Sequence, residues 1–220
     1  MLLDLHNHTQ HSPDSRVSPR ELVALARRIG IHGLAITDHN AVAGVKEAEE
    51  AAGKEILILP GIEISTADGH VLGYGVREVV PRDLGVAETV ERITALGGVA
   101  VAAHPYRFWS GLGEDALGRA RFPAFETCNG RTRGRGNAMA RNRAQKSGVG
   151  QTGGSDSHFL DEVARAVTAV NSGVTSAEDI LQLVGQGKTT AQGFDRGPAG
   201  TVRYVTKAVS EWALRGFRRI

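Results

Sequence analysis

The chain has 220 residues, of which 41% are hydrophobic, so it can bury one substantial core and lies in the size range of single-domain α/β barrels. A formal net charge of +2 excludes a protein whose whole surface is basic enough to bind nucleic acid generally, although basic residues cluster at 131–146 and 215–219. The single cysteine, Cys128, excludes an internal disulfide and fits a reducing compartment. The chain opens on a strand pattern and has no uncharged apolar run of about 18 residues. We therefore expect a cytoplasmic protein with no membrane contact.

Short aliphatic runs alternate with helical patterns along the chain. Nine runs indicate strands, at residues 2–5, 33–37, 56–59, 62–65, 70–74, 99–103, 122–127, 149–152 and 166–170. Such alternation is typical of βαβ units around a largely parallel sheet. The stretches 111–118 and 130–136 contain several glycines, and we expect both to be long loops that flank a site.

Four helices are indicated between the strands. Ser18, Pro19 and Glu21 supply a cap, a first-turn proline and a capping-box partner for the first helix, which Gly30 ends. Residues 41–52 and 86–96 are the second and third, and residues 176–179 open a fourth that runs to about residue 185.

We divide the chain into a domain at 1–193 and a basic amphipathic C-terminal helix at 194–220. The helix spaces its apolar positions at three and four residues, at Val202, Val205, Val209, Trp212 and Gly216. This stripe is expected to pack on the domain or on a second subunit; a contact with a membrane surface or nucleic acid is the alternative. A stable nucleic-acid complex is not expected.

Six of the eight histidines lie in short clusters with carboxylates, and most of these clusters follow an apolar run. The clusters are Asp4-Leu5-His6-Asn7-His8, Asp38-His39, His70, His104-Pro105 and Asp156-Ser157-His158. Because α/β folds bring many strand ends to one edge, the pattern predicts a metal site assembled from the whole chain. A single histidine of this kind is more often a satisfied core residue, but the set as a whole indicates an enzyme.

The spacing within the clusters suggests individual roles. His6 and His8 project on one side of an extended segment, and Asp156 and His158 repeat that geometry. His39 is the expected ligand of its pair, with Asp38 orienting an imidazole. The remaining predicted ligands are Glu63, an isolated carboxylate in an apolar strand that suits a bridge between ions, with Asp14, His70 and His104.

Nitrogen and oxygen ligands without thiolate favour Zn, Mn or Fe, and this number of ligands implies two or three divalent ions. Such a centre activates water and clamps an anionic substrate, so hydrolysis of a phosphate ester is its natural use. We assign catalytic roles to His39, His158 and Asp38. Arg107, Asn129 and Arg131 are the expected contacts of a small phosphorylated substrate, with nucleotides among the candidates.

The clusters resemble those of the PHP (polymerase and histidinol phosphatase) superfamily of metal-dependent phosphoesterases. The matching motifs are residues 4–9, 36–39, 60–63, 103–105 and 153–158, in the family's order. The resemblance implies a distorted seven-stranded, TIM-like (β/α) barrel with a three-metal site at the C-terminal ends of its strands. It further implies three ligand groups: His6, His8, Glu63 and Asp156; Glu63, His104 and His70; and Asp14, His39 and His158.

This sequence departs from the family at two points, and each bears on which properties of the family apply to it. Asp14 stands where some members have histidine, which bears on the third ion. Residues 74–99 leave no room for the small inserted domain of members that act on nucleotide bisphosphates or RNA ends. Two alternatives to phosphoester hydrolysis stay open: an amidohydrolase-type C–N hydrolase, and a metal-stabilised module that binds a phosphorylated ligand without turnover.

Overall fold

The computed structural model describes residues 1–193 and the pairs 205–206, 209–210 and 212–213. Nine strands lie within residues 1–193: β1 (Leu2–Asp4), β2 (Gly33–Ile36), β3 (Leu57–Ser65), β4 (His70–Tyr74), β5 (Val99–Ala102), β6 (Ala124–Asn129), β7 (Gly150–Gly154), β8 (Ala166–Ala169) and β9 (Thr190–Gly193). Six α-helices lie within the same residues: α1 (Pro19–Ile29), α2 (Ala43–Ala52), α3 (Val86–Ala95), α4 (Gly113–Arg119), α5 (Gly134–Ser147) and α6 (Ala177–Gly185). A 3₁₀ turn covers Leu160–Glu162.

The strands form one barrel-shaped sheet in the order β7-β6-β5-β4-β3-β2-β1-β8-β9. The barrel is nearly closed because β7 returns to the other end of the sheet. There the Leu5 amide lies 3.4 Å from the Gly153 carbonyl, and the Gly153 amide donates to Thr168 Oγ1 at 2.8 Å. A Cβ on Gly153 would lie 2.4 Å from the Val167 carbonyl oxygen, and one on Gly154 would lie 2.3 Å from His6 Cβ. Closure therefore requires glycine at both positions.

The prediction of a seven-stranded and largely parallel barrel is wrong in two respects. The sheet has nine strands, and four of its pairings are parallel while four are antiparallel. The antiparallel pairings arise because β4 is inserted between β3 and β5, and because β8 and β9 extend the sheet beyond β1. The predicted strands 56–59 and 62–65 are one strand, β3, which continues through Pro60.

The glycine-rich stretches also differ from expectation. Both were expected to be long loops, but α4 covers most of the first and α5 begins inside the second. The helix α5 buries Asn137, Ala140 and Ala144, so it shows no stripe of large apolar residues in the sequence. The predicted capping boxes at Ser18 and Ser176 are both present.

The core has an inner and an outer part. The inner cluster fills the barrel and includes Leu3, Leu5, Leu59, Leu72, Val101 and Ile180. Two outer clusters lie between the sheet and the helices, one around Leu22 and Ala48, the other around Ile93 and Phe125. Tyr74 is fully buried, and its hydroxyl donates to the Leu5 carbonyl at 2.8 Å. This bond ties β4 to the segment that carries His6.

The described pairs 205–206, 209–210 and 212–213 of the predicted C-terminal helix are helical. Val205, Val209 and Trp212 are 48%, 54% and 46% exposed. Val202 and Gly216, the other positions of the stripe, lie outside the described residues, as do most residues at the proposed domain boundary, so the packing of this segment stays a prediction. Among the described helices, none combines the length and apolarity that a membrane span needs.

Candidate metal centre

The predicted ligands meet at one end of the barrel. His6 and His8 follow β1, His39 follows β2, His104 follows β5, and Asp156 and His158 follow β7. His70 begins β4, and because β4 runs antiparallel to β3, its first residue lies at the edge where the parallel strands end. Glu63 lies inside β3, opposite His39 in an isolated bridge.

The first ligand group is formed by His6, His8, Glu63 and Asp156, all at most 1% exposed. His6 Nε2 and His8 Nε2 are 3.2 Å apart. Glu63 Oε2 lies 3.4 Å from His6 Nε2 and 3.2 Å from His8 Nε2, and Asp156 Oδ1 lies 3.7 and 3.3 Å from the same two atoms. Ligand atoms about 2.0–2.1 Å from a tetrahedral ion are roughly 3.3–3.4 Å apart. These four atoms are therefore spaced as metal ligands.

The Glu63 carboxylate faces two groups of imidazoles. Its Oε1 lies 2.9 Å from both His70 Nδ1 and His104 Nε2. Its Oε2 lies 3.1 Å from His39 Nδ1, besides its approach to His6 and His8. One oxygen thus points to each side, which is the arrangement required of a bridging carboxylate.

A third group lies on the far side of His8 and comprises His8, His39 and His158. Asp14 borders it, with Oδ2 located 2.9 Å from His158 Nε2 and 3.8 Å from His39 Nε2. The structure therefore brings all nine predicted ligands to one site. Only the first group is the one that the resemblance implies: the second comprises His39, Glu63 and His70, with His39 in place of His104, and the third has His8 in place of Asp14.

The electrostatics of the site favour bound cations. Burial alone would lower the pKa of His8, but Asp156 and Glu63 raise it to about 9. For His6 too, burial opposes the shift, and Glu126, Asp156 and Glu63 raise the pKa well above its usual value. The negative carboxylates thus favour a positive charge at the point where the Nε2 atoms of His6 and His8 face each other. A divalent ion supplies that charge with neutral imidazoles, so the residues fit a metal.

Three other imidazoles of the site have lowered pKa values instead. Burial lowers the pKa of His39 well below its usual value, and burial with Arg107 nearby lowers that of His104 to about 4. Burial and the positive charge of Arg131 also lower the pKa of His158. These rings are neutral at pH 7, as metal-binding imidazoles are. Asp14 Oδ1 and His104 Nδ1 are buried without a hydrogen-bond partner.

Two of the predicted ligands have strained backbone conformations. His104 has φ of 28° and Asp156 has φ of 54°, values that residues with a side chain adopt rarely. The His104 amide donates to Glu126 Oε2 at 2.8 Å, and the Asp156 amide donates to the His6 carbonyl at 2.7 Å. These bonds hold the strained conformations, which aim both side chains into the site.

Asp38 is connected to two of the imidazole-bearing residues through Ser12. Its carboxylate accepts from the Ser12 hydroxyl at 2.9 Å and from the Thr9 amide at 2.6 Å. Ser12 Oγ lies 3.1 Å from His8 Nδ1 and accepts from the His39 amide at 2.9 Å. The contacts of Asp38 therefore reach His8 and His39 through a serine that sequence reasoning missed, because its motif is ordinary turn chemistry, and the orienting role of Asp38 stays a prediction.

Glu126 is a second residue that sequence reasoning missed. It is 1% exposed, and its Oε1 lies 2.9 Å from His6 Nδ1. Its Oε2 accepts from the His104 amide and, at 3.1 Å, from Asn129 Nδ2. It thus connects two ligands from different strands. The available signal was a lone carboxylate in the apolar run of β6, the same signal that singled out Glu63 in β3.

The three predicted substrate contacts line one side of the site. Arg107 pairs with Asp156 Oδ2 and donates to Asn129 Oδ1 at 2.6 Å. Asn129 is 1% exposed, and its amide also donates to Asp156 Oδ2 at 3.2 Å. Arg131 is 6% exposed and close enough to His158 to affect its pKa. The structure therefore places two arginines at the ligands and makes Asn129 a buried hydrogen-bonding centre between them.

The barrel and its buried histidine–carboxylate cluster define an α/β barrel protein equipped to bind metal ions. Residues 4–125 match the family described as PHP domain, and residues 134–189 match the one described as PHP-associated. The first match covers more than half of the chain. The protein therefore belongs to the PHP domain family.

Relatives of known sequence cover parts of the chain. An uncharacterized protein of Methanocaldococcus jannaschii is 40% identical over 119 residues, which are 48% of this chain and 68% of that protein. The 5'-3' exoribonuclease Rnm of Salmonella typhimurium is 35% identical over 106 residues, 44% of this chain but only 36% of the enzyme. The chain thus matches about a third of the exoribonuclease's length.

Solved structures share the fold. A two-domain protein from Bacteroides vulgatus, described as containing a predicted PHP-like metal-dependent phosphoesterase, superposes with a TM-score of 0.73 at 20% identity. The superposition covers 94% of this chain and 69% of that one.

Proposed function

We propose that this protein is a metal-dependent phosphoesterase that hydrolyses a small phosphomonoester or phosphodiester. The observation that carries the proposal is the set of three overlapping ligand groups, which share His8, His39 and Glu63 and lie beside the half-buried Arg107 and the buried Arg131. Membership of the PHP family and the likeness to an exoribonuclease support it.

The proposed ligands are His6, His8, Asp14, His39, Glu63, His70, His104, Asp156 and His158. When bound, two or three divalent ions of Zn, Mn or Fe would lower the pKa of a coordinated water and neutralise the charge of phosphate oxygens. The chain supplies ligands to them without a thiolate, and Glu63 is positioned to bridge two of them.

The two arginines complete the phosphate site. A guanidinium offers a planar fork of donors that matches two phosphate oxygens. The Arg107 side chain pairs with Asp156 and is 15% exposed, so an entering anion can reach it. We assign Arg107 and Arg131 to phosphate binding, and Asn129 to holding Arg107 in place.

Catalytic roles are proposed for His39, His158 and Asp38. His158 Nε2 lies 2.9 Å from Asp14 Oδ2, and both flank the outer side of the centre. As proposed ligands, His39 and His158 would act by holding the ions that activate water and neutralise the charge of phosphate oxygens. Asp38 acts indirectly, through Ser12, by fixing His8 and the backbone at His39.

The described lysines favour phosphoester chemistry over the C–N hydrolase alternative. Amidohydrolase-type barrels often bridge their ions with a carboxylated lysine, but Lys46, Lys54, Lys146 and Lys188 are all exposed. The remaining lysine, Lys207, lies outside the described residues. Among the described groups, Glu63 takes the bridging position.

The test is metal-resolved hydrolysis. The purified protein is stripped, Mn, Fe or Zn is restored separately, and an aryl phosphate monoester is assayed beside the matching diester and an aryl amide. We expect phosphoester hydrolysis that requires metal, that inorganic phosphate inhibits, and that His8→Ala abolishes. Cleavage of the amide alone would establish the C–N hydrolase. Turnover of no ester, with phosphate bound equally by both proteins, would establish the binding module.

A further inference from the structure

Two aromatic side chains stand exposed beside the metal centre. Phe108 and Trp109 are each 87% exposed, more than any other large hydrophobic residue among those described. Their rings contact one another edge to face, with centroids 4.7 Å apart and planes at 79°. Exposure of two adjacent aromatic rings is costly in water unless a ligand or partner covers them.

The loop that carries the pair is held at both ends. The Arg107 amide donates to the His104 carbonyl at 2.8 Å, and the Gly111 amide donates to the Arg107 carbonyl at 3.0 Å. The Ser110 carbonyl accepts from the His70 amide at 2.9 Å. A Cβ on Gly111 would lie 2.6 Å from the Pro105 carbonyl oxygen, so the loop closes tightly on itself. The aromatic tip is therefore fixed relative to His70 and His104.

The pair is continuous with the proposed phosphate site. Trp109 is two residues from Arg107, a separation of at most about 7 Å along the backbone. Arg107 Nε lies 3.3 Å from Thr132 Oγ1, so the aromatic loop adjoins the segment that carries Arg131 and the exposed Arg133. Aromatic rings next to arginines are the combination that recognises a base and its phosphate together.

We propose that Phe108 and Trp109 form an aromatic platform that stacks on a nucleobase of the substrate while the metal centre and Arg107 hold its phosphate. The inference rests on the proposed phosphoesterase function and narrows its substrate class to nucleotides. Stacking suits this pair because a base has a planar face, while the sugar between base and phosphate spans the short distance from Arg107 to Trp109. The arginines supply the complementary charge.

Fluorescence tests the platform without requiring turnover. The chain has two tryptophans, so Trp212→Phe leaves Trp109 as the only one. The probes, added to metal-loaded protein, are adenosine 5'-monophosphate and adenosine 3'-monophosphate, with ribose 5-phosphate and inorganic phosphate as matched ligands that lack a base. We expect saturable quenching by the adenosine phosphates alone. Equal responses to all four probes, or none to any, would overturn the platform.

Kinetics separate the platform from the proposed function. Trp109→Leu and Phe108→Leu keep an apolar side chain but remove the ring, and Leu96→Ala, at the 41% exposed residue that follows α3, is the control. We expect KM for the adenosine phosphates to rise by about 5- to 100-fold in the two loop variants, with ribose 5-phosphate hydrolysis unchanged.

The outcomes are distinct. Hydrolysis of ribose 5-phosphate as efficient as that of the adenosine phosphates would overturn the platform and leave the phosphoesterase standing. Base-dependent quenching with no hydrolysis of any probe would support the platform and contradict the phosphoesterase. Self-association of the wild-type chain that Trp109→Leu abolishes would assign the pair to an interface between copies, and would also overturn the platform.

Discussion

The metal centre and the loop beside it are built in opposite ways. The proposed ligands His6, His8, Glu63 and His104 are at most 1% exposed, and partners on neighbouring strands hold their rings or carboxylate. Four residues after His104, the side chain of Phe108 is 87% exposed. The first region is fixed by burial and hydrogen bonds, whereas the second is fixed only through its backbone.

The difference separates chemistry from selection of the substrate. A side chain enclosed by other ligands cannot be changed without leaving a buried charge or imidazole unpaired. An exposed side chain on a tethered loop can be changed with little effect on the fold. Variants in the centre should therefore alter metal binding, and variants in the loop should alter substrate preference.

The largest effect is expected at Glu63. In Glu63→Gln, an amide replaces the carboxylate that faces five histidines, and the amide nitrogen cannot bind a cation. We expect loss of at least one bound ion and a fall in kcat of about 1,000-fold or more with any phosphoester. Plasma mass spectrometry of bound metal and steady-state kinetics provide the measurements. Full activity with a full complement of metal would contradict the bridging role.

Glu126→Gln should have the next largest effect. Glu126 contacts the far nitrogen of His6 rather than the centre itself, and partners of this kind change metal affinity by about 10- to 100-fold. Competition with a coloured chelator measures the change. Glu88→Gln, at an exposed position paired with Arg92, is the matched control and should leave affinity unaltered. Equal affinities of Glu126→Gln and wild type would show that His6 needs no such support.

Metal affinity should depend on pH. Because the neighbouring carboxylates raise the pKa of His8 to about 9 against the effect of burial, an incoming ion must displace a proton below that pH. Metal affinity therefore rises by about tenfold per pH unit for each proton released, and it levels off above about pH 9. Titration calorimetry in buffers of different ionisation enthalpy counts the protons. Constant affinity between about pH 6 and 8 would contradict this charge balance.

The smallest effect in the centre is expected for Ser12→Ala. It removes the hydroxyl that links Asp38 to His8 and to the His39 amide, and we expect metal affinity to fall by about tenfold or less. Ser18→Ala is the control, since it removes a helix cap and lowers the free energy of unfolding by about 1 kcal/mol without touching the centre. A Ser12→Ala protein that loses stability but keeps its metal affinity would make Ser12 a purely structural residue.

The sequence was most informative where a structural feature depends on residues that are close together in the chain. The pattern of histidines and carboxylates at strand ends identified the nine side chains that meet, and capping boxes located the starts of α1 and α6. His70 was harder, since it begins a strand. Only the antiparallel direction of β4, which depends on tertiary pairing, explains why it reaches the same edge as His104.

Features set by long-range packing could not be predicted. The helix α5 contains two glycines and buries only small and polar side chains, so it lacks the periodic signal of a helix. The strand β9 is a short segment with little apolar content that pairs only because β8 offers it an edge. Glu126 gains its role from strands β1 and β5, more than 20 residues away in sequence.

The most direct measurement is the number of metal ions per folded chain, determined by native mass spectrometry as Mn, Fe or Zn is titrated into stripped wild-type protein and Glu63→Gln. The overlapping ligand groups predict two or three ions in the wild type, and fewer in the variant because Glu63 is shared. A single ion in the wild type, or the same number in both proteins, would contradict a multinuclear centre bridged by Glu63.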